Sequence, residues 1–177
     1  MAVERDHIYR VEDTDGDGLA DEYQLVFDEL YEEVTDVAGA VMKQGDDLFV
    51  GAAPDMWRVS EDPETGLASE KVSISHGYGL HIGFGGHGMS GLEMGPDGRV
   101  YWGIGDIGFN GVDQDGVEHK YPNRGVIARS NPDGSDFEIF AMGVRNTHEF
   151  VFDDYGNLIS VDNDGDHRGE SERLVYL

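Results

Sequence analysis

The sequence predicts an all-β fold, a partial β-propeller of about three four-stranded blades that spans residues 1–177. The chain holds 26 glycines but only 5 prolines, and many of these glycines follow aspartate in turn-forming pairs. Three segments, 45–51, 95–103 and 153–161, repeat one pattern, in which an acidic or glycine turn precedes a short apolar strand. Equivalent residues Leu48, Val100 and Leu158 are 52 and 58 residues apart, which is close to the length of one propeller blade.

The composition excludes several classes of function. The net charge of −25 arises from 37 acidic and 12 basic residues, so the surface repels nucleic acid and anionic lipid, and we expect neither as a main partner. The absence of cysteine excludes disulfides, thiolate nucleophiles and a covalently attached c-type haem. No apolar run approaches 18 residues and the first residues do not form a signal peptide, so we expect no direct membrane insertion.

The first element is a short strand at 7–11 that leads into an aspartate-rich loop. Carboxylates at alternate positions, with glycines between them, have the spacing of a calcium loop. An EF-hand would carry glutamate at the twelfth position, where Gln24 stands, so the loop is more similar to the calcium loops between propeller strands. The predicted ligands are the side chains of Asp13, Asp15, Asp17 and Asp21 and the carbonyl of Leu19. The alternative is an acidic turn that binds no metal.

Short apolar runs after this loop predict five further strands. They cover 24–27, 39–42, 47–52, 55–60 and 70–75, and glycine, proline and acidic turns separate them. The segment 28–36 lacks a clear apolar stripe and is predicted to be a loop or one short helix.

The stretch from Gly85 to Gly108 is the clearest local pattern. Two apolar runs, 90–94 and 99–104, flank the turn 95–98, and Asp-Gly between such runs predicts an antiparallel hairpin. His87 and Asp106 then lie together at the open end of the hairpin, beside glycine-rich backbone that suits the edge of a binding site. The alternative is a surface hairpin with an incidental histidine.

The remaining chain continues the strand pattern. The polar loop 110–123 is predicted to cross between blades, and strands at 125–129 and 137–141 flank an Asn-Pro-Asp-Gly turn. Another strand ends at Phe152, and the segment 162–167 is rich in oxygen ligands. Because the sequence stops inside an apparent strand and three blades leave open edges, we expect the chain to be a fragment of a larger ring.

An ordered set of motifs resembles the glucose/sorbosone dehydrogenase family. The set comprises His87, Gly95-Pro96-Asp97-Gly98, Tyr101, Gly105-Asp106, Arg124-Gly125, Asn131 to Ser135, Arg145-Asn146 and Asp162-Asn163-Asp164. The resemblance implies a six-bladed propeller that uses pyrroloquinoline quinone (PQQ) and calcium to oxidise a sugar or another alcohol. It is closest to a branch whose members often carry a c-type haem domain, which implies a cytochrome electron acceptor and a periplasmic or extracellular location. It also implies that only about half of the propeller is present, so we expect the isolated chain to be inactive.

The resemblance assigns roles to individual residues. It implies that His87 is the general base, that Arg145 and Asn146 lie beside the cofactor, and that Asp162, Asn163 and Asp164 approach the cofactor's calcium. Two positions depart from the family pattern. Gly86 stands where an acidic residue is frequent, and Thr147-His148 replaces Pro-Gln or Pro-Tyr.

Less specific interpretations of the same residues stay open. Arg145 could pair with Glu149, and His148 could be a structural histidine between blades. A metal pair of His81 and His87 does not have the spacing of a zinc site on a helix. At the level of the whole chain, the alternative function is a non-catalytic, calcium-stabilised propeller that binds or scaffolds.

Overall fold

The computed structural model describes residues 7–28, 38–79, 86–163 and 168–177. Within these ranges it contains strands and turns but no helix. The strands are β1 (Ile8–Glu12), β2 (Glu22–Phe27), β3 (Ala40–Gln44), β4 (Asp47–Ala52), β5 (Asp55–Glu61), β6 (Ala68–His76), β7 (Met89–Met94), β8 (Val100–Ile104), β9 (Phe109–Val112), β10 (Glu118–Tyr121), β11 (Gly125–Ser130), β12 (Glu138–Val144), β13 (Thr147–Phe152), β14 (Leu158–Asp162) and β15 (Arg173–Tyr176). The predicted loop or helix at 28–36 falls almost entirely outside the described residues.

Most strands form three antiparallel blades, which confirms the predicted partial propeller. Blade 1 has the order β3-β4-β5-β6, blade 2 the order β7-β8-β11-β12, and blade 3 the order β13-β14-β15. The first strand of blade 2 contacts the first strands of both neighbours, as strands around a propeller channel do. Leu48, Val100 and Leu158 all lie on the second strand of their blade and are buried, as the repeat predicted.

The β9–β10 hairpin corrects one prediction. Residues 110–123 do not pass from one blade to the next, because the chain leaves β8 and returns to β11 within blade 2. The hairpin instead packs beside blade 1, where the Phe109 ring stacks on Tyr78 with centroids 4.5 Å apart. The Asn110 amide also donates to the Gly77 carbonyl at 2.8 Å. The hairpin therefore fills space between two blades without connecting them.

The core lies between the sheets, since alternate residues of each strand face opposite neighbours. On β8, Val100, Trp102 and Ile104 pack towards blade 1, whereas Tyr101 packs towards blade 3 with Phe150. The other face of blade 1 is covered by the β1–β2 ribbon through Val26 and Phe27. No helix among the described residues is long and apolar enough to cross a membrane.

One end of the blades gathers loops from different parts of the sequence. First strands begin at this end and second strands finish there, so His87 precedes β7 and Asp106 follows β8. Arg145 precedes β13 by the same rule, and Asp162 closes β14. We call this the site end of the blades. The turns at Gly45, Pro96 and Asp153 lie at the opposite end.

Candidate functional site

The aspartate-rich loop connects β1 to β2 and brings three predicted metal ligands together. One carboxylate oxygen each from Asp13, Asp15 and Asp17 lies within 4.8 Å of the others. The amides of Gly18 and Gly16 donate to Asp13 at 2.8 and 2.7 Å, and the bond from Gly18 contributes most to lowering the pKa of this carboxyl. The three charges are therefore held close together on an exposed loop.

The other two predicted ligands of this loop behave differently. Both oxygens of Asp21 accept hydrogen bonds from Thr14, one from the amide at 2.9 Å and one from the hydroxyl at 2.8 Å. Leu19 has an exposed side chain, and its amide donates to Asp17 at 2.8 Å. The loop thus brings three carboxylates together around one point, whereas the carboxylate of Asp21 is hydrogen-bonded to Thr14.

His87 and Asp106 form a pair at the site end of blade 2. The Nδ1 atom of His87 lies 2.6 Å from Oδ1 of Asp106, and the Gly105 amide donates to the His87 carbonyl at 3.2 Å. Because a carboxylate only accepts hydrogen bonds, Nδ1 carries the proton, and the lone pair of the neutral ring is on Nε2. The His87 side chain is 17% exposed and that of Asp106 is 44% exposed. The pair is therefore an oriented proton acceptor that solvent can reach.

Arg145 joins this pair from blade 3. Its backbone carbonyl accepts the Asp106 amide at 2.8 Å, and its guanidinium donates to the side chain of Asn163 at 2.8 Å. Ser90 strengthens the same junction, because its hydroxyl donates to the Thr147 carbonyl at 2.7 Å. Two blades therefore bring the His87–Asp106 pair into contact with the backbone of Arg145, which is far from it in the sequence, while the Arg145 guanidinium lies against Asn163.

Asn146 lies beneath this group and is only 2% exposed. Its Nδ2 donates to Nε2 of His148 at 2.9 Å, whereas its Oδ1 has no hydrogen-bond partner among the described residues. A Cβ atom added to Gly105 would lie 3.0 Å from this Oδ1 and 2.8 Å from the His87 carbonyl oxygen. Glycine at 105 is therefore what allows both the Asn146 amide and the His87 backbone to pack against this position.

Asp162 lies behind the site, where it is 1% exposed. Its Oδ1 accepts the amides of Arg145 and Asn146, each at 2.9 Å, and its Oδ2 accepts Nη2 of Arg173 at 2.6 Å. Both oxygens already bind groups of this chain, which favours a supporting role over direct contact with a cofactor. Asn163 is exposed beside Arg145, and Asp164 lies outside the described residues, as does His81.

His148 and Arg173 complete this group. His148 packs beside Gly86 at the junction of blades 2 and 3, which agrees with the interpretation of a structural histidine between blades, but its hydrogen bond to Asn146 was not predicted. Its position two residues after Asn146 was a signal that could have indicated this contact. Arg173 pairs with Asp162 because the strand register places them opposite each other, and no local pattern indicates that register.

Comparisons with known proteins agree with the fold. Residues 2–174 match the family described as Domain of unknown function (DUF7133). The holo form of the pyranose dehydrogenase PQQ domain from Coprinopsis cinerea matches with a TM-score of 0.57 and 17% identity, over 91% of this chain and 41% of that chain. The PQQ-bound form of aldose sugar dehydrogenase from Streptomyces coelicolor matches with a TM-score of 0.59 and 18% identity, over 97% of this chain and 54% of that chain.

The comparisons also limit what can be transferred. This chain spans only about half the length of the two solved structures, and the low identity shows a shared fold alone. No curated protein matches the sequence. The fold is thus like that of PQQ-dependent sugar dehydrogenase domains, and any shared activity has to be argued from the site.

Proposed function

The chain belongs to the DUF7133 family, and we propose that it is part of a PQQ- and calcium-dependent oxidoreductase of the glucose/sorbosone dehydrogenase type. Its substrate would be a sugar or another alcohol. The observation that carries this proposal is the His87–Asp106 pair, 2.6 Å apart, joined through the Asp106 amide to the Arg145 carbonyl. The two solved structures of similar fold are a pyranose dehydrogenase PQQ domain and a PQQ-bound aldose sugar dehydrogenase, and this supports the choice of cofactor.

His87 acts as the general base in this proposal. Its Nδ1–H is held by Asp106, so Nε2 accepts the proton of the substrate hydroxyl. The carboxylate fixes the tautomer and the ring orientation, and it stabilises the imidazolium that forms. Histidine suits this role because it is the side chain that most often serves as a general base in enzymes.

The residues at this site fit an anionic quinone in charge and polarity. The Arg145 guanidinium provides a fixed positive charge that suits carboxylates and quinone oxygens, in a chain whose net charge is −25. Asn146 adds a buried amide whose Oδ1 has no hydrogen-bond partner among the described residues and packs against Gly105. When bound, PQQ supplies the quinone that accepts hydride from the substrate carbon. Arg145 and Asn146 would hold it, and His87 would face the substrate.

Calcium, the electron acceptor and the location complete the proposal. The clustered oxygens of Asp13, Asp15 and Asp17 suit a hard cation such as calcium, which carboxylates bind at about 2.3–2.6 Å. The family resemblance supports electron transfer to a c-type cytochrome and a periplasmic or extracellular location.

Spectral titration with PQQ in the presence of calcium tests the proposal. We expect a saturable change in the PQQ absorbance with the full-length protein. Arg145→Ala should weaken the affinity on the order of 10- to 100-fold, because a charge-assisted contact is lost. Arg99→Ala is the matched control, since Arg99 lies at the opposite end of blade 2 beside Glu138. Absence of any PQQ-dependent change, or equal losses in both variants, would overturn the proposed function.

The second candidate is a calcium-stabilised propeller module that binds or scaffolds without catalysis. The aspartate cluster favours it, because the cluster lies on the exposed β1–β2 loop and needs no catalytic site to bind a cation. Calcium binding without PQQ binding in the same titration would support this candidate.

A further inference from the structure

A buried carboxylate connects the outer strand of blade 3 to the predicted site. Asp162 ends β14 in the middle of the sheet, with Thr147 of β13 opposite it on one side and Arg173 of β15 on the other. Its two oxygens serve different partners, since Oδ1 accepts two backbone amides and Oδ2 accepts the Arg173 guanidinium. Asp162 therefore ties three segments of the blade together.

The two amides that Asp162 accepts belong to the connection between β12 and β13. Arg145 and Asn146 lie outside the strands, so the backbone pairing of the sheet does not orient their peptide groups. A single oxygen that accepts both amides at 2.9 Å fixes the two peptide planes relative to each other. The direction of the Arg145 carbonyl follows from those planes.

That carbonyl carries the effect across to blade 2. It accepts the Asp106 amide at 2.8 Å, and the Asp106 side chain holds Nδ1 of His87 at 2.6 Å. An unbroken series of hydrogen bonds thus runs from Arg173 through Asp162 and Arg145 to Asp106 and His87. Charge-assisted bonds form both of its ends, and such bonds are the strongest of their kind.

A carboxylate that is 1% exposed is costly to bury unless all its oxygens are satisfied. Arg173 supplies the compensating charge, and it does so from a side chain that is itself 61% exposed. Removing the guanidinium would leave a buried charge with two amide donors only. The Asp162 side chain would then gain by turning towards solvent and releasing the amides of Arg145 and Asn146.

We propose that Asp162 and Arg173 form a positioning clamp that holds the His87–Asp106 pair in place from the neighbouring blade. Neither residue contacts the reacting atoms, and both act through the Arg145 backbone. The clamp's importance for catalysis rests on the proposed function, whereas its hold on His87 does not. The clamp also explains why the acidic side chain of Asp162 is buried and does not face solvent at the site end of the blades.

Proton NMR of the protein without PQQ tests the clamp directly. A histidine Nδ1–H held 2.6 Å from a carboxylate oxygen gives a downfield resonance, and the variant His87→Gln identifies it. In Asp162→Asn and in Arg173→Gln, we expect this resonance to move or broaden, with water exchange at least about tenfold faster. Arg173→Lys, which keeps the charge, should restore part of the protection.

Asp153→Asn is the matched control. Asp153 belongs to the same blade, and its Oδ1 likewise accepts two amides, of Tyr155 and Asn157, each at 2.9 Å, but at the end of the sheet away from His87. Circular dichroism and thermal unfolding establish that each variant is folded. If Asp162→Asn does not fold, Arg173→Gln decides, because its side chain is largely exposed.

An unchanged His87 resonance in a folded Asp162→Asn or Arg173→Gln protein would overturn the clamp, as would an equal change in Asp153→Asn. This result is independent of the PQQ titration. A protein that fails to bind PQQ but shows the expected NMR changes would retain the clamp and lose the proposed function.

Discussion

Replacing Leu158 by alanine tests the packing between blades 2 and 3. Leu158 is 0% exposed and packs with Tyr101, Ile127 and Phe150 at this interface. The substitution removes about three carbon atoms, worth roughly 2.4 kcal/mol of transfer free energy, and it also leaves a cavity. We therefore expect a loss of about 3 kcal/mol in the free energy of unfolding. For a chain of this length, that corresponds to a fall in Tm of about 6–12 °C.

Thermal or denaturant unfolding of the purified protein measures this loss. Leu19→Ala is the control with identical chemistry, since the Leu19 side chain is 71% exposed and should change the stability by no more than about 0.5 kcal/mol. A loss below about 1 kcal/mol for Leu158→Ala, or equal losses in both variants, would refute the assignment of Leu158 to a packed interface between blades.

Three further predictions concern the calcium loop, the response to acid and a glycine contact. Calorimetry should detect calcium uptake that Asp15→Ala abolishes, and a chain that takes up no calcium would contradict the metal assignment. The hydrogen bond from His119, and then the Val117 amide, lower the pKa of Asp113, so its carboxylate stabilises the fold above about pH 4 and this contribution is lost as the pH falls through the lowered value. Asp113→Asn should accordingly lower the stability at pH 7, and its difference in stability from the wild type should shrink below about pH 4. Acid titrations followed by circular dichroism measure this difference, and a difference independent of pH would refute the prediction. Gly91→Ala should lower the free energy of unfolding by about 1–3 kcal/mol more than Gly98→Ala does. Both glycines have positive φ, but only at 91 would the added Cβ meet a ring, 2.7 Å from the Phe150 Cε1 atom. Equal unfolding free energies for the two variants would contradict this prediction.

Local patterns predicted the blades well. The hairpin of β7 and β8 follows from two apolar runs around Asp-Gly, and the structure pairs Met94 with Val100 as that turn requires. The spacing of Leu48, Val100 and Leu158 worked for the same reason, since each blade repeats the same turn before its second strand. The contact between His87 and Asp106 was also predicted, because the two residues flank the open end of one hairpin, where its two strands are close in space.

Contacts between distant segments could not be predicted in this way. The position of the β9–β10 hairpin depends on the packing of Phe109 against Tyr78, and this packing depends on how two blades are arranged. The same limit applies to Asp162, whose acidic side chain suggested a ligand. Its burial and its pairing with Arg173 depend on the register between β14 and β15, which the sequence of the loop between them does not indicate.

The assignment of His87 as general base is tested most directly by His87→Ala in the full-length protein. Alcohol-dependent reduction of an artificial electron acceptor, measured with PQQ and calcium present, gives the turnover, and the PQQ titration gives the affinity. We expect turnover to fall by at least about 100-fold, within the usual contribution of a general base, while the affinity for PQQ stays within a few-fold of the wild type. Full turnover in the folded His87→Ala protein would contradict the assignment.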